Sequence, residues 1–398
     1  MAPADKNVTA MPSLTRAEID LNALAHNYRE LRRLAAPNAD IMAVVKADGY
    51  GHGAPQVASV ALACGAKFLA VARFDEAVRL REAGIDAPIL LFGYTFPAYV
   101  DYMAKHNIRA SVNSLDAAAK LSAEAERVGK TLKIHIKVDT GMGRLGLLCD
   151  ELTADATDAG HDNATHRDIM TIASLPHVAV EGIFTHFANA DAADKTHARR
   201  QFSRFSTLLE ALDSKGFQVE YRHAANSAAT IELPETHLDL VRPGVSQYGL
   251  WPSADVDKNL IDLKPVMAIK STVIQVKSVG PGFAVSYGST YLTPHPTRIA
   301  TVPIGYADGF DRLLSSKGHM LVRGTRAPII GRVCMDLTMI DVGHIPGVSL
   351  EDEVVILGRQ DNEEITADEI ADQVGTINYE IVSSLTARVA RVYKEGQL

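Results

Sequence analysis

Between about residues 40 and 245, short β-branched apolar runs alternate with longer amphipathic stretches, and no other feature of the chain restricts its fold as much. The runs at 41–45, 67–72, 88–92, 108–112, 132–138, 178–184, 218–222 and 238–241 have the length and residue types of strands. The stretches between them have helical periodicity. In 196–214, for instance, Phe202, Phe205, Leu208, Leu209 and Leu212 fall on one face. Strands separated by helices pair in parallel through right-handed crossovers. Eight such units in roughly 200 residues suit a (β/α)8 barrel of the TIM type, whose closure leaves no sheet edge open. A doubly wound open sheet is the alternative. After about residue 255 helical patterns become scarce and closely spaced β patterns take over, at 266–279, 299–302, 319–322, 327–330, 339–342 and 353–357. One late helix is expected at 367–374, with Thr366 as its cap. The fold class is therefore α/β: a short extension at 1–15, a (β/α)8 barrel at 16–255 and a mostly β domain at 256–398.

The 398 residues carry 40 basic and 48 acidic side chains, a formal charge of −8, so no global basic field exists to hold a nucleic acid. Cys64, Cys149 and Cys334 lie far apart with no C-x-x-C spacing, which suits neither a disulfide framework nor a metal site. The fourteen histidines include no H-E-x-x-H and no H-x-H pair, so no metal is expected. No apolar run nears the ~20 residues of a spanning helix, and the first residues lack the apolar core of a signal peptide. A reducing cytoplasm, with no membrane partner, is the expectation.

In barrels of this type the chemistry collects at the carboxyl ends of the strands. Lys46-Ala-Asp-Gly-Tyr50-Gly follows the first strand and Asp139-Thr-Gly-Met-Gly-Arg144 the fifth. Thr185-His186 follows the sixth, His223-Ala-Ala-Asn226-Ser227 the seventh and Arg242-Pro-Gly244 the eighth. Most lysines are solvated surface charges. Lys46, ending a buried strand, would instead be desolvated, which lowers an amine's pKa and frees it for a Schiff base. Gly141-Met-Gly143-Arg-Leu-Gly146 fits G-x-G-x-x-G, yet it sits at the fifth strand with nothing Rossmann-like before it. Its glycines read instead as room for backbone beside a ligand, with Arg144 presenting a planar fork to a carboxylate or phenolate. His186 suits a ligand site and a hydrogen-bonded core equally well. Asn226, Ser227, Gly244 and Val245 offer a hydroxyl and successive N–H groups at strand-to-helix turns, which is how barrels hold a phosphate. In the second domain, Val285-Ser-Tyr287-Gly, Gly305-Tyr306-Ala-Asp308-Gly, Cys334-Met335-Asp336 and Asn378-Tyr379-Glu380 read first as hairpin corners with packed aromatics.

Taken together these strings resemble the alanine racemase family, fold-type III enzymes that use pyridoxal phosphate. The resemblance rests on Ala43-Val-Val-Lys46-Ala-Asp-Gly-Tyr50-Gly-His-Gly, Lys137-Val-Asp-Thr-Gly-Met-Gly-Arg144-Leu-Gly, Glu181-Gly-Ile-Phe-Thr-His186-Phe and the strings around Asn226, Arg242, Tyr287, Tyr306, Met335 and Tyr379. These lie in family order across 41–380, with no departure at a position the family uses for chemistry.

The resemblance implies that Lys46 holds the cofactor and serves as the base on one face of the substrate's Cα, and that Tyr287 is the base on the other. It implies that Arg242 faces the pyridine nitrogen, with His186 orienting it. Tyr50, Asn226, Ser227, Gly244, Val245 and Tyr379 match cofactor-binding positions, while Arg144, Tyr306 and Met335 match substrate-binding ones. Lys137 matches a lysine that many members carbamylate. It further implies a head-to-tail homodimer in which Tyr287, Tyr306 and Met335 complete the partner's site, and a role in supplying D-alanine for peptidoglycan. A broad-specificity racemase is the nearest alternative. Arg242 argues against a fold-type III decarboxylase, and the second domain argues against a non-catalytic carrier of the cofactor.

Overall fold

The computed structural model describes residues 13–149 and 164–394. Among these, 23–149 with 164–264 form one compact unit, and 13–22 with 265–394 form another.

In the first unit eight strands run parallel in the order Leu240–Val241, Asp40–Val44, Phe68–Val71, Ile89–Leu91, Ile108–Val112, Leu132–Asp139, Val178–Phe184 and Tyr221–His223. Backbone bonds from Asp239 N to Arg222 O at 3.1 Å and from Arg242 N to Ala225 O at 3.0 Å join the last strand to the first in that order. The barrel is thereby nearly closed, as the eight-fold alternation predicts. Helices cover its outside, so the strands are buried on both faces and read as near-continuous apolar runs. Leu69, Leu90, Ala110, Ile134 and Ile183 have no exposed surface. The helix Thr196–Ser214 turns Phe205, Leu208, Leu209 and Leu212 inward, the face its periodicity marks out.

The expected strand at 218–222 lies three residues later at its start, Tyr221–His223. His223 is consequently inside a strand rather than in the loop after it, and it is fully buried. That shift of register in the reading matters for the site.

The second unit is mostly β. One sheet has the strand order Thr325–Pro328, His319–Val322, Glu353–Gln360, Met267–Thr272, Arg16–Asp20 and Ala390–Lys394, with Glu363–Ile365 added beside Glu353–Gln360. A three-stranded sheet joins Gln275–Val279, Thr297–Val302 and Thr338–Asp341. Arg16–Asp20 lies in this unit, although the sequence boundary at 16 assigned those residues to the barrel. It pairs antiparallel with Met267–Thr272 and parallel with Ala390–Lys394, partners too distant in sequence for local patterning to reveal. Thr366 does cap the helix Ala367–Val374, its Oγ1 accepting from Glu369 N at 3.0 Å. A second short helix, Asn378–Ser383, follows it and carries Tyr379.

Candidate active site

Lys46 lies two residues past the end of the strand Asp40–Val44, at the barrel's carboxyl end. The chain then makes an unusual turn: Ala47, Asp48, Gly49 and Tyr50 all have left-handed dihedrals, with φ of 52°, 52°, 62° and 53°. Each non-glycine residue held there costs roughly 1–2 kcal/mol, so the surroundings must enforce the turn. Backbone bonds from Gly49 N to Val45 O and from Gly51 N to Ala47 O, both 2.9 Å, close it. Asp48 accepts from Ala54 N at 3.0 Å. Glu76, from the helix Phe74–Glu82, accepts from Ala47 N at 2.6 Å with one carboxylate oxygen and from Ala72 N and Arg73 N with the other. Lys46 is thus presented from a clamped turn, half-buried, with its Nζ 5.9 Å from the centre of the Tyr50 ring. Burial first, then the Arg144 charge, push its pKa down, against an opposing pull from Glu76.

The strand Leu132–Asp139 supplies the next group. Lys137 is buried and donates to Val138 O at 2.9 Å, with the Phe184 ring centre 5.2 Å away. Burial, and then Arg242 and Arg144, bring its pKa down to about 7 in spite of Asp139. Asp139 organises the turn that follows. One oxygen accepts from the amides of Gly141, Met142 and Gly143 at 2.8–3.1 Å, and the other from Arg144 N at 3.1 Å. Burial opposes its ionisation, but these four amides outweigh that and hold the carboxyl below its ordinary value. The contribution is present above the unfolded value near ~3.9 and is lost as pH falls through the lower folded value. Asp139→Asn is expected to cost about 1–3 kcal/mol at neutral pH, because an amide NH2 would face the Arg144 N–H. Urea midpoints compared at neutral pH and near pH ~3 test this: the gap between wild type and variant should narrow in acid.

Arg242 lies at the bottom of the mouth, 3% exposed. Its guanidinium donates to Thr185 O at 2.8 Å, Ala224 O at 2.9 Å and His223 Nδ1 at 2.9 Å, and to His186 Nδ1 at a longer 3.3 Å. Among the described residues no carboxylate bonds it, and burial followed by Arg144 lowers its pKa to about 9, so it remains charged near neutrality. The half-buried His186 is pressed well below its ordinary pKa, first by burial and then by Arg242, Lys137, Arg144 and Lys46 together. Basic side chains thus gather around one imidazole at the barrel mouth, with Arg242 bonded to it.

Beside them is an anion cradle. Ser227 Oγ accepts from Gly244 N at 2.8 Å and from Ser246 N at 3.3 Å, and Asn226 caps the short helix Ser227–Glu232 through Ala229 N. A Cβ on Gly244 would stand 2.7 Å from the Tyr50 hydroxyl, so glycine lets that hydroxyl lie against the backbone. Val245 is buried in the same turn, and the fully buried Ser246 Oγ has no hydrogen-bond partner among the described residues. Hydroxyls, amides and surplus positive charge are the chemistry a phosphate ester requires.

The other expected residues lie in the β unit. Tyr287 is 71% exposed on a loop where Ser286, Gly288 and Ser289 all take positive φ. The small cluster Val285, Ile299 and Ile330 anchors that loop, and Ser286 Oγ donates to Arg332 O at 2.6 Å. Tyr306 N and Ala307 N donate to Cys334 O and Met335 O, which puts Tyr306 and Met335 side by side, both exposed. Thr386, just past the helix carrying Tyr379, bonds Ala307 O at 2.9 Å. The residues singled out from the sequence thus fall into two groups, one at the barrel mouth and one in the β unit. It gave no role to Glu76 or His223, and the motif string that contains His223 was the one available signal.

A reactive amine ringed by cations and an anion cradle at the mouth of a (β/α)8 barrel defines a barrel enzyme that keeps an anionic group beside a nucleophile. Residues 19–252 match the family described as alanine racemase, N-terminal domain, and residues 266–393 its C-terminal domain. The chain belongs to the alanine racemase family. It is 54% identical over 380 residues to the alanine racemase of Desulfosudis oleivorans, covering 96% of each chain. Among solved structures it resembles the Bacillus anthracis alanine racemase with bound L-Ala-P, at 36% identity and a TM-score of 0.87 over 97% of this chain and 96% of that one. It also resembles the Bartonella henselae alanine racemase with covalently bound pyridoxal phosphate, at 28% identity and a TM-score of 0.83 over 96% and 100%.

Proposed function

We propose that the protein racemises alanine with pyridoxal phosphate held on Lys46, and that the observation carrying this reading is the gathering of Lys46, Lys137 and the buried Arg242 at the barrel mouth beside the Ser227–Gly244 turn. Two arginines beside lysines that are in part protonated are unfavourable together unless an anionic ligand joins them, and the cofactor's phosphate and phenolate together with a substrate carboxylate would supply that charge. The residues present fit the cofactor: the Ser227, Gly244 and Val245 turn with Asn226 and Tyr50 for its phosphate, Arg242 for its ring nitrogen, Lys46 for its aldehyde. When bound, the cofactor supplies an electron sink conjugated to the substrate's Cα.

Each residue then has a defined task. The depressed pKa of Lys46 keeps part of its amine neutral, and Nζ takes the proton from one side of Cα. The phenolic oxygen of Tyr287 returns a proton on the other side, because a single base would favour return to the same face. Arg242 donates a hydrogen bond and keeps its own proton, which leaves the ring nitrogen unprotonated and the sink modest. Arg144 faces the substrate carboxylate and cofactor phenolate. Lys137, with a neutral fraction set by a pKa of about 7, adds its nitrogen to carbon dioxide and loses a proton, giving a carbamate whose negative charge steadies Arg144.

Tyr287, Tyr306, Met335 and Tyr379 are assigned to the same reaction, with the first three acting on the site of a second copy in a head-to-tail dimer. The exposure of Tyr287, Tyr306 and Met335 supports that assignment, since exposed Tyr and Met side chains on neighbouring loops mark an interaction surface. The three cysteines are free, and no helix among the described residues is long and apolar enough to cross a membrane. We place the enzyme in a reducing cytoplasm, where its product D-alanine serves peptidoglycan synthesis.

Polarimetry on the purified protein with pyridoxal phosphate tests the reading. L-alanine should decay to zero rotation, and faster than L-serine or L-lysine. Unchanged alanine rotation in cofactor-loaded protein would overturn it.

A further inference from the structure

The interior of a (β/α)8 barrel is normally filled by layers of branched apolar side chains. Here one side of it is polar from end to end. Arg242 Nη1 bonds His223 Nδ1 at 2.9 Å, His223 Nε2 lies 2.9 Å from His135 Nδ1, and His135 Nε2 lies 3.3 Å from Glu181 Oε2. Glu181 ends the chain, accepting also from Arg109 at 2.6 and 3.0 Å and from Lys133 at 2.6 Å. Both imidazoles are fully buried.

The barrel is built around this row. The pairing of Leu132–Asp139 with Val178–Phe184 shifts register between Ile134 and His135. Gly182 lies opposite, where any Cβ would come within 2.6 Å of His135 Nδ1. The Phe184 ring lies parallel to His223 at 4.7 Å and also faces the Arg242 guanidinium at 5.5 Å. Tyr221 stacks beside His135 at 6.3 Å, with the edge of Phe68 at 6.2 Å.

We propose that Glu181, acting through His135 and His223, is a positioning residue for Arg242: it fixes the tautomer of both imidazoles so that His223 always offers Arg242 a lone pair. The assignment follows from valence. A guanidinium only donates and a carboxylate only accepts, while each neutral imidazole between them has one donor and one acceptor. All three bonds form together only if both rings carry their hydrogen on Nε2. The opposite tautomers would point an N–H at Arg242 and a bare nitrogen at a carboxylate. A proton added to either ring would set two donors face to face. Such protonation is opposed by burial and by the neighbouring cations, with Glu181 pulling the other way at His135 alone. Glu181 itself stays ionised, since hydrogen bonds from His135, Arg109 and Lys133 overcome the effect of its burial. A buried arginine without a carboxylate is thereby aimed by one that lies two rings away. The inference rests on Arg242 facing the cofactor's ring nitrogen.

The test is nitrogen NMR of protein labelled with ¹⁵N-histidine, cofactor-loaded and cofactor-free, with signals assigned from His135→Gln and His223→Gln. Both rings are expected as neutral Nε2–H tautomers in both forms, unchanged from about pH 6 to about pH 8. An Nδ1–H tautomer or a protonated ring at either position would overturn the proposal. Glu181→Gln, whose amide can also donate, should add a second tautomer population and lower kcat at least about tenfold with little change in KM. Glu181→Asp, which can only accept, should keep the single tautomer. A purely structural role would lower the melting temperature of Glu181→Gln and leave the tautomers and kcat unmoved, again overturning the proposal; if that variant does not fold, the wild-type spectrum decides alone. Failure of the functional reading is seen separately, as no cofactor trapped on Lys46 by borohydride reduction and peptide mapping.

Discussion

Lys46→Ala is expected to fold normally and to lose racemisation by at least about a thousandfold, because one side chain serves as both cofactor anchor and base. The fold should tolerate the loss. Apart from its approach to the Tyr50 ring, the Lys46 side chain makes no hydrogen bond or ion pair among the described residues, and the left-handed turn after it is closed by backbone bonds and the Glu76 clamp. Removing the ammonium also relieves its repulsion with Arg144, one cause of its lowered pKa. The expected stability change is therefore within about 1 kcal/mol. Polarimetry and a thermal melt on the same sample check both halves of the statement. A variant that keeps several per cent of the wild-type rate would show that Lys46 is not the base, and one that fails to fold would show that the turn depends on its side chain.

Tyr287→Phe is expected to lower racemisation by about a hundredfold to ten thousandfold while leaving the fold intact, since the phenol is 71% exposed on the chain. With one base left, Cα exchange should survive without inversion: solvent deuterium enters one enantiomer, on the face from which its proton was taken. Equal exchange and inversion in the variant would remove Tyr287 from its role. Mixing the two inactive variants tests the composite site. In a head-to-tail dimer, a chain carrying Lys46→Ala and a chain carrying Tyr287→Phe share one site with both bases and one with neither. Random reassembly puts half the chains in such mixed dimers, so about a quarter of wild-type activity should return. If each chain supplied both bases to its own site, no activity would return.

Much of this site was legible from the chain alone. Lys46, His186, Ser227 and Arg242 follow strands, Asp139 ends one, and in this architecture residues at the carboxyl end of a strand line the mouth. Thr366 and its helix were legible for the same local reason, a side-chain cap three residues before the amide it bonds.

What failed to show had another character. Arg109, Lys133, His135, Glu181 and His223 lie on four strands, and neither the apolar run nor the alternation on any one strand says which polar residues of the others it meets. The pairing of Arg16–Asp20 with two strands more than 240 residues away was equally hidden. The sequence by itself determined the order of the elements, the eight-fold repeat and the residues at strand ends, because these follow from periodicity and local hydrogen bonding. Only the tertiary structure decided which polar side chains meet inside the barrel and what turns a lone arginine toward its target. Those contacts depend on register between strands, and a shift of one residue would turn each of these side chains to the opposite face.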